Sequence, residues 1–275
     1  MSIARVFLRR TNATPDDPLA FVGMPDLFTP DWFDEVRISV AFTYDLPRAE
    51  QLANVWEKRT NKLLIGGPGT GMKGGEFTPG VYLKKGYVIT SRGCPNSCWY
   101  CTVHDREGDI RELKIHAGWN VLDDNLLACS KRHITNVFKM LMKVKKVLHK
   151  RIEFTGGLEA KRLESWHIDW LLRIKPKQMF FAYDDSEDFH FLYYHAGKML
   201  RDAGFTNNQM RCYVLIGYQN DTFEKSEKRL RQTISAGFTP MAMLYRDENG
   251  VYNKDWTKFQ KEWARPAIMR AKGLI

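Results

Sequence analysis

The sequence predicts an α/β protein in two parts: a small Rossmann-like α/β lobe over residues 1–85, and an open, partial TIM-like (β/α)6 barrel over residues 86–275. Three observations predict it. Short β-branched or apolar runs alternate with segments whose apolar residues have helical spacing, which is typical of parallel sheets. A Gly- and Pro-rich stretch at 66–80 interrupts both periodicities and marks an internal boundary. With 275 residues and 44% hydrophobic content, the chain is long enough for one sizeable domain and a small one.

Nine segments have the character of strands, and six of them fall in the second part. Strands are predicted at 5–8, 36–42, 63–65, 86–90, 119–122, 152–155, 178–183, 210–216 and 240–245. Helices are predicted at 48–59, 130–149, 166–173, 190–203, 223–236 and 256–271. Because each of the six later strands precedes a segment of helical character, their number and order predict the partial barrel.

Charge and cysteine content narrow the class of function. The formal net charge of +10 favours an anionic partner, for which a nucleic acid or a nucleotide is the first candidate. No apolar run approaches the roughly 20 residues of a membrane span, so no membrane partner is expected. Five cysteines without a recognisable secretion signal predict a reducing, cytoplasmic location, where thiols serve metals or chemistry more often than disulfides.

Three of the cysteines form the decisive motif. Cys94, Cys98 and Cys101 follow an apolar strand in the pattern CxxxCxxC. Thiolate is the soft donor that iron–sulfur clusters need, and three thiolates leave one iron of a four-iron cluster free to bind another molecule. The alternative is a structural zinc site, because His104 lies three residues after Cys101 and CxxxCxxCxxH is formally possible.

The motif resembles the cluster loop of the radical S-adenosylmethionine (SAM) superfamily, which has an aromatic residue, here Tyr100, directly before the third cysteine. The resemblance is closest to superfamily members with an N-terminal cobalamin-binding domain, and it covers residues 86–243. Gly66-Gly67-Pro68 is similar to the end of that domain, although the lobe here is shortened. The resemblance implies one 4Fe-4S cluster on the three cysteines, with SAM bound through its amino and carboxylate groups to the open iron.

The same resemblance implies a SAM site at the C-terminal ends of successive strands, where ligands bind in such folds. It implies Asp123 and Asp124 beside the SAM amino group, Asp184 at the ribose, the backbone of Ile216 and Gly217 at the adenine, and Glu159 with Arg162 at the SAM carboxylate or the substrate. These residues also have alternative interpretations. The first pair could instead form a helix N-cap, and Glu159 and Arg162 a solvated loop.

Two features depart from the family pattern. No histidine precedes His104, whereas common cobalamin proteins place one beneath the cobalt, so bound cobalamin is unlikely on this sequence. Outside the motif only Cys129 and Cys212 remain, too few for a second cluster. Cys212 shares strand parity with residues predicted to face the barrel interior, so it is a candidate hydrogen-atom donor; the alternative is a small core residue.

The expected activity is therefore reductive cleavage of SAM to a 5′-deoxyadenosyl radical, which abstracts hydrogen from a substrate. The resemblance also implies a low-potential electron donor such as flavodoxin or ferredoxin. The substrate is either a nucleic acid or nucleotide, which the charge favours, or a small metabolite or peptide. A hypothesis from another class is a non-catalytic nucleic-acid-binding module stabilised by zinc or a cluster.

Overall fold

The computed structural model describes residues 1–247, 250 and 253–275. Its strands form two parallel sheets and a short antiparallel pair. The strands are β1 (Ile3–Phe7), β2 (Ala20–Val22), β3 (Glu35–Ser39), β4 (Leu63–Gly66), β5 (Tyr87–Val88), β6 (Ser91–Arg92), β7 (Arg111–Glu112), β8 (Asn120–Val121), β9 (Glu153–Leu158), β10 (Gln178–Ala182), β11 (Met210–Ile216) and β12 (Thr239–Leu244). The α-helices are α1 (Leu46–Trp56), α2 (Val103–Glu107), α3 (Lys131–Leu148), α4 (Ser165–Ile174), α5 (Lys198–Asp202), α6 (Phe223–Ser235), α7 (Lys254–Trp263) and α8 (Pro266–Ala271). The fold is therefore α/β with parallel sheets, as the sequence predicts.

The first sheet has the order β2-β1-β3-β4, with every pair parallel. Alternate strand residues and one face of α1 form its apolar core, in which Trp56 is fully buried. The opposite face carries both charged and apolar side chains. There Arg5 donates hydrogen bonds to the carbonyls of Gly80 and Val81, at 3.1 and 2.6 Å. This face therefore holds the segment that leads into the second sheet.

The second sheet has the order β5-β8-β9-β10-β11-β12, so chain order and spatial order agree, and all five pairs are parallel. Each connection between neighbouring strands carries helix, as parallel pairing requires. A large apolar core joins this sheet to its helices. The C-terminal ends of its strands consequently lie along one edge, and this edge carries the candidate site.

The longest helix, α3, shows how the sequence determines local structure. Ser130 caps it by accepting a hydrogen bond from the backbone amide of His133 at 3.2 Å. Its buried apolar stripe faces the core, while most of its lysines are exposed on the other side. The stripe consists of Ile134, Val137, Phe138, Leu141 and Val144. The basic residues of this helix therefore accompany an ordinary amphipathic face.

Several elements differ from the sequence prediction. The helix predicted at 256–271 is two helices, because Pro266 begins α8 and Arg265 before it is extended. The helix predicted at 190–203 contains a π-helical stretch, Phe191–Gly197, before α5. Strands β2, β6 and β7 have two or three residues each, too short for a periodicity to reveal. Among the described residues, none of the helices is both long and apolar enough to cross a bilayer.

Candidate cluster and cofactor site

The three motif cysteines lie on the loop between β6 and α2, which we call the cluster loop (residues 93–102). All three are partly exposed free thiols. The loop is closed at its base, because β6 pairs with β7 and the amide of Cys94 donates a hydrogen bond to the carbonyl of Gly108 at 3.1 Å. Gly93 has φ 87°, and a side chain there would clash with the backbone of Asp109. A glycine is required at this position.

The carboxylates of Asp123 and Asp124, just after β8, hold the chain that enters the cluster loop. Asp124 accepts a hydrogen bond from the amide of Gly93 at 2.9 Å. Asp123 is only 1% exposed and accepts from the amide and hydroxyl of Thr90 and from the hydroxyl of Ser91. Burial raises the pKa of both, that of Asp123 to about 6 even though these hydrogen bonds lower it. Both side chains are thus engaged by the protein itself.

The next residue, Asn125, contacts the motif directly. Its side-chain Nδ2 donates to Cys94 Sγ at 3.3 Å and to Glu159 Oε2 at 2.7 Å. Asn125 is 5% exposed, and its Oδ1 is buried without a hydrogen-bond partner among the described residues. A buried acceptor without a donor is unusual in a protein interior and is a natural place for a ligand N–H. Asn125 has no sequence signal of its own, although it directly follows the two aspartates that the resemblance implies at the SAM site.

Glu159, after β9, lies in a cationic environment. Lys161 Nζ is 2.9 Å from Oε1, and Arg162 Nε donates to Oε2 at 2.5 Å. Burial would raise the pKa of Glu159, but the hydrogen bonds from Asn125, Lys161 and Asn96 and the charge of Arg162 outweigh it and lower the pKa. Glu159 is therefore an ionised carboxylate. Arg162, predicted as a SAM or substrate contact, is paired with it here.

Asp184, after β10, meets the other side of the cluster loop. It accepts a hydrogen bond from the amide of Leu215 at 2.7 Å and another from the Tyr100 hydroxyl. Burial raises the pKa of Asp184 to about 6. Burial, and secondarily the nearby Asp184 and Cys98, raise the pKa of Tyr100, which is also hydrogen-bonded to Cys98. Tyr100 therefore links a motif cysteine to a strand end.

Asp221 stabilises the turn after β11. Asp221 accepts from the amide of Gly217 at 2.8 Å and forms a buried ion pair with Arg229 at 2.8 Å. Gly217 has φ 72° and packs against Leu244 and Trp256. Ile216 is fully buried, and its carbonyl accepts a hydrogen bond from the Tyr245 amide at 2.9 Å. Asp221 belongs to no motif that would identify it from the sequence, although it holds the turn where the adenine was predicted.

Four loop residues therefore reach four successive strand ends. Cys94 meets Asn125 after β8, Asn96 meets Glu159 after β9, Tyr100 meets Asp184 after β10, and Trp99 packs edge-on against Tyr218 after β11, with ring centres 5.0 Å apart. The structure brings together most of the predicted site residues along this edge. Gly157, in β9, adds open space there, since a Cβ would meet nothing within 4 Å.

Cys212 lies elsewhere. Its side chain is fully buried and its thiol is hydrogen-bonded to Thr233 on α6, so it points to the helix layer. The opposite face of β11 carries Tyr213, which stacks on Phe180 with ring centres 4.6 Å apart. Hydrogen donation by Cys212 stays a prediction. Burial raises the pKa of the Cys212 thiol well above its usual value. This geometry favours the core interpretation over hydrogen donation.

The donor set fits an iron–sulfur cluster. A four-iron cluster offers each thiolate a separate iron, so its ligands need not converge on one point, and amide N–H groups commonly donate to its sulfurs. Across the described parts of the chain, no three His, Cys, Asp or Glu side chains gather closely enough to bind a single metal ion. His104, the fourth ligand of the zinc alternative, has Nδ1 2.9 Å from the Cys94 carbonyl oxygen.

Comparison with known proteins shows which solved structures share this fold. No known family and no curated protein matches this sequence. Two solved structures of the radical SAM methyltransferase TsrM from Kitasatospora setae do match. The structure with cobalamin and a [4Fe-4S] cluster bound has a TM-score of 0.64 at 11% identity, over 88% of this chain and 74% of that one. The structure with tryptophan substrate and the SAM analogue aza-SAM has a TM-score of 0.61 at 11% identity, over 89% of this chain and 72% of that one. The chain thus shares its overall fold with these two structures, and its three motif cysteines lie at the strand-end edge of the parallel sheet.

Proposed function

We propose that this chain is a radical SAM enzyme that holds one 4Fe-4S cluster on Cys94, Cys98 and Cys101. The observation that carries the proposal is the cluster loop, whose residues contact the C-terminal ends of four successive parallel strands. Ligands of parallel α/β folds bind at this edge. When bound, such a cluster supplies a low-potential electron that splits SAM into methionine and a 5′-deoxyadenosyl radical able to take hydrogen from a substrate.

Asn125 and Glu159 are proposed to receive the SAM amino group. Asn125 Oδ1 is a buried acceptor in need of a donor, and Glu159 is an ionised carboxylate beside it. An ammonium group satisfies both through charge-assisted hydrogen bonds. Asp123 and Asp124, which the resemblance favoured for this contact, then act by holding Thr90, Ser91 and Gly93 in place.

The remaining SAM contacts follow the strand order. Asp184 is proposed to accept from a ribose hydroxyl, with its other partners Leu215 and Tyr100 fixing its orientation. The backbone of Ile216 and Gly217 is proposed to flank the adenine, in the turn that Asp221 holds. We further propose that residues 86–275 form the partial (β/α)6 barrel and residues 1–85 a separate lobe. The sequential order of six parallel strands and the two separate apolar cores support this division.

The substrate is proposed to be a nucleic acid or nucleotide, because the net charge of +10 favours a phosphate-bearing partner. The alternative is a small metabolite or peptide. Electrons are proposed to come from a flavodoxin or ferredoxin in the cytoplasm. TsrM binds cobalamin, but no histidine precedes His104 in this chain, so we propose that the chemistry needs only the cluster and SAM.

Anaerobic reconstitution with iron and sulfide tests the proposal. We expect about four irons and four sulfides per chain, with the visible absorption of a cluster. The variant Cys98→Ser should lose most of both, whereas Cys129→Ser, at a buried cysteine outside the motif, should keep them. A protein that takes up zinc but no iron would instead support the non-catalytic module. Reconstitution with added cobalamin should leave none bound after gel filtration.

A further inference from the structure

Asn125 stands between a proposed cluster ligand and an ionised carboxylate. Its amide nitrogen has two N–H groups, and both are engaged: one donates to Cys94 Sγ at 3.3 Å and the other to Glu159 Oε2 at 2.7 Å. The residue is 5% exposed, so water does not compete for these bonds. The Asn125 amide is thus held beside the Cys94 sulfur in a desolvated environment, where electrostatic interactions are strong.

Glu159 determines which end of the amide faces the sulfur. A reversed amide would turn Oδ1 towards two acceptors, the Cys94 sulfur and the Glu159 carboxylate, which is unfavourable for both. Lys161 and Arg162 keep Glu159 ionised, so it remains an acceptor at neutral pH. The arrangement is comparable to metal sites in which a carboxylate orients a ligand from behind.

We infer that Asn125 is a positioning residue that raises the reduction potential of the cluster through its N–H···S hydrogen bond to Cys94, and that Glu159 holds it in that orientation. The inference rests on the proposed function, since it requires a cluster on Cys94. Reduction adds negative charge to the cluster and its sulfurs. A hydrogen-bond donor stabilises the more negative state, and hydrogen bonds to sulfur are among the factors that determine the potential of such clusters.

The test is an EPR-monitored redox titration of the reconstituted full-length protein without SAM, comparing wild type with Asn125→Ala and Asn125→Leu. The leucine variant keeps the side-chain volume and the alanine variant removes it, so one of them should retain the cluster. At the midpoint potential of the wild type, the ratio of reduced to oxidised cluster should fall about fivefold to tenfold in each variant, the size of one typical hydrogen bond. Tenfold corresponds to 59 mV for a one-electron couple.

Asn120→Ala is the matched control. Asn120 begins β8, is 6% exposed, and contacts Thr155 and Glu153 but no cysteine. The midpoint potential of the Asn120→Ala variant should equal that of the wild type. A second comparison measures the effect of Asn125→Ala in a Glu159→Leu background, where the amide is no longer oriented. There the shift should be clearly smaller, and the lost charge of Glu159 cancels in the cycle.

The possible results distinguish failure of the tuning role of Asn125 from failure of the proposed function. If wild type and Asn125 variants carry a cluster with the same midpoint, the tuning role is wrong while the proposed function stands. If both Asn125 variants lose the cluster and Asn120→Ala keeps it, Asn125 serves assembly and the tuning role is also wrong. If the wild type takes up no cluster, the proposed function fails and this inference fails with it.

Discussion

At the scale of single residues, Asp123 shows burial and hydrogen bonding acting in opposite directions. It is almost fully buried, and burial raises its pKa to about 6 from the usual 3.8, even with donors from Thr90 and Ser91. A carboxyl with a raised pKa binds its proton more tightly in the folded chain than in the unfolded one. Stability from this group is therefore complete below about pH 4 and is lost as the pH rises through about 6.

The variant Asp123→Asn keeps the shape and cannot ionise. Between about pH 4 and pH 7, the wild type should lose up to about 3 kcal/mol of unfolding free energy relative to the variant. Urea unfolding at several pH values measures this difference. Parallel pH profiles for the two proteins would show that Asp123 does not titrate in this window, contrary to the account.

The residues of the site also show what a sequence can reveal. The three cysteines were identifiable because their spacing is local and their chemistry is specific. Asn125 was not, since an amide carries no ionisable signal and its importance depends on Glu159, 34 residues away along the chain. The roles of Asp123 and Asp124 depend on backbone amides at Thr90 and Gly93, whose direction is determined by tertiary structure.

At the scale of elements, the glycine-rich stretch after β4 packs by close backbone approach. The amide of Gly69 donates to the carbonyl of Val40 at 3.0 Å, and a Cβ at Gly69 would lie 2.6 Å from the backbone of Phe42. Gly69→Ala should therefore destabilise the protein by about 2 kcal/mol, as overpacking does. Gly75→Ala is the control. A Cβ at Gly75 would meet nothing within 4 Å, and the φ angle of Gly75 lies outside the positive range that favours glycine. Thermal unfolding compares them, and equal melting temperatures would contradict the packing described.

Helix α2 connects the cluster loop to this same stretch. Glu107, 2% exposed at its C-terminal end, accepts from the amide of Gly74 at 3.1 Å through both carboxylate oxygens and pairs with Arg111 at 3.2 Å. Glu107→Ala should cost about 3 kcal/mol, because it leaves buried donors without a partner. It should also speed proteolysis within residues 67–80. Asp105→Ala, at an exposed position of the same helix, should change neither the free energy of unfolding nor the rate of proteolysis.

Most elements of the two parallel sheets were predicted from the sequence. All nine predicted strands are present, and so is α3 with its buried stripe. The prediction failed at Pro266, which was included in one helix although proline favours a helix start. The two-residue strands β6 and β7 pair residues that are 19 and 21 positions apart along the chain, and they have no periodicity to detect.

At the scale of the whole molecule, the net charge of +10 bears on the substrate. If the substrate is a nucleic acid, binding of a single-stranded oligonucleotide should weaken about tenfold or more between 50 and 200 mM salt, through counterion release. Fluorescence anisotropy measures this dependence. Absent or salt-independent binding would favour the small metabolite or peptide, because the basic faces would then be ordinary solvated surface.

The arrangement of the two sheets was predicted in part. Nine of the ten strands in the two parallel sheets follow from patterns along the sequence. The contacts that connect them, such as Arg5 with the carbonyls of Gly80 and Val81, do not. The acceptors in these contacts are backbone carbonyl groups, which any residue can supply.

The most direct test of the central claim is SAM cleavage by the reconstituted, reduced protein. Incubated anaerobically with dithionite and SAM, the wild type should form 5′-deoxyadenosine and methionine, detected by liquid chromatography and mass spectrometry. Cys94→Ala should form neither above the background without enzyme, whereas Cys129→Ala should retain the activity. A wild-type protein that holds only zinc and forms no 5′-deoxyadenosine would contradict the account.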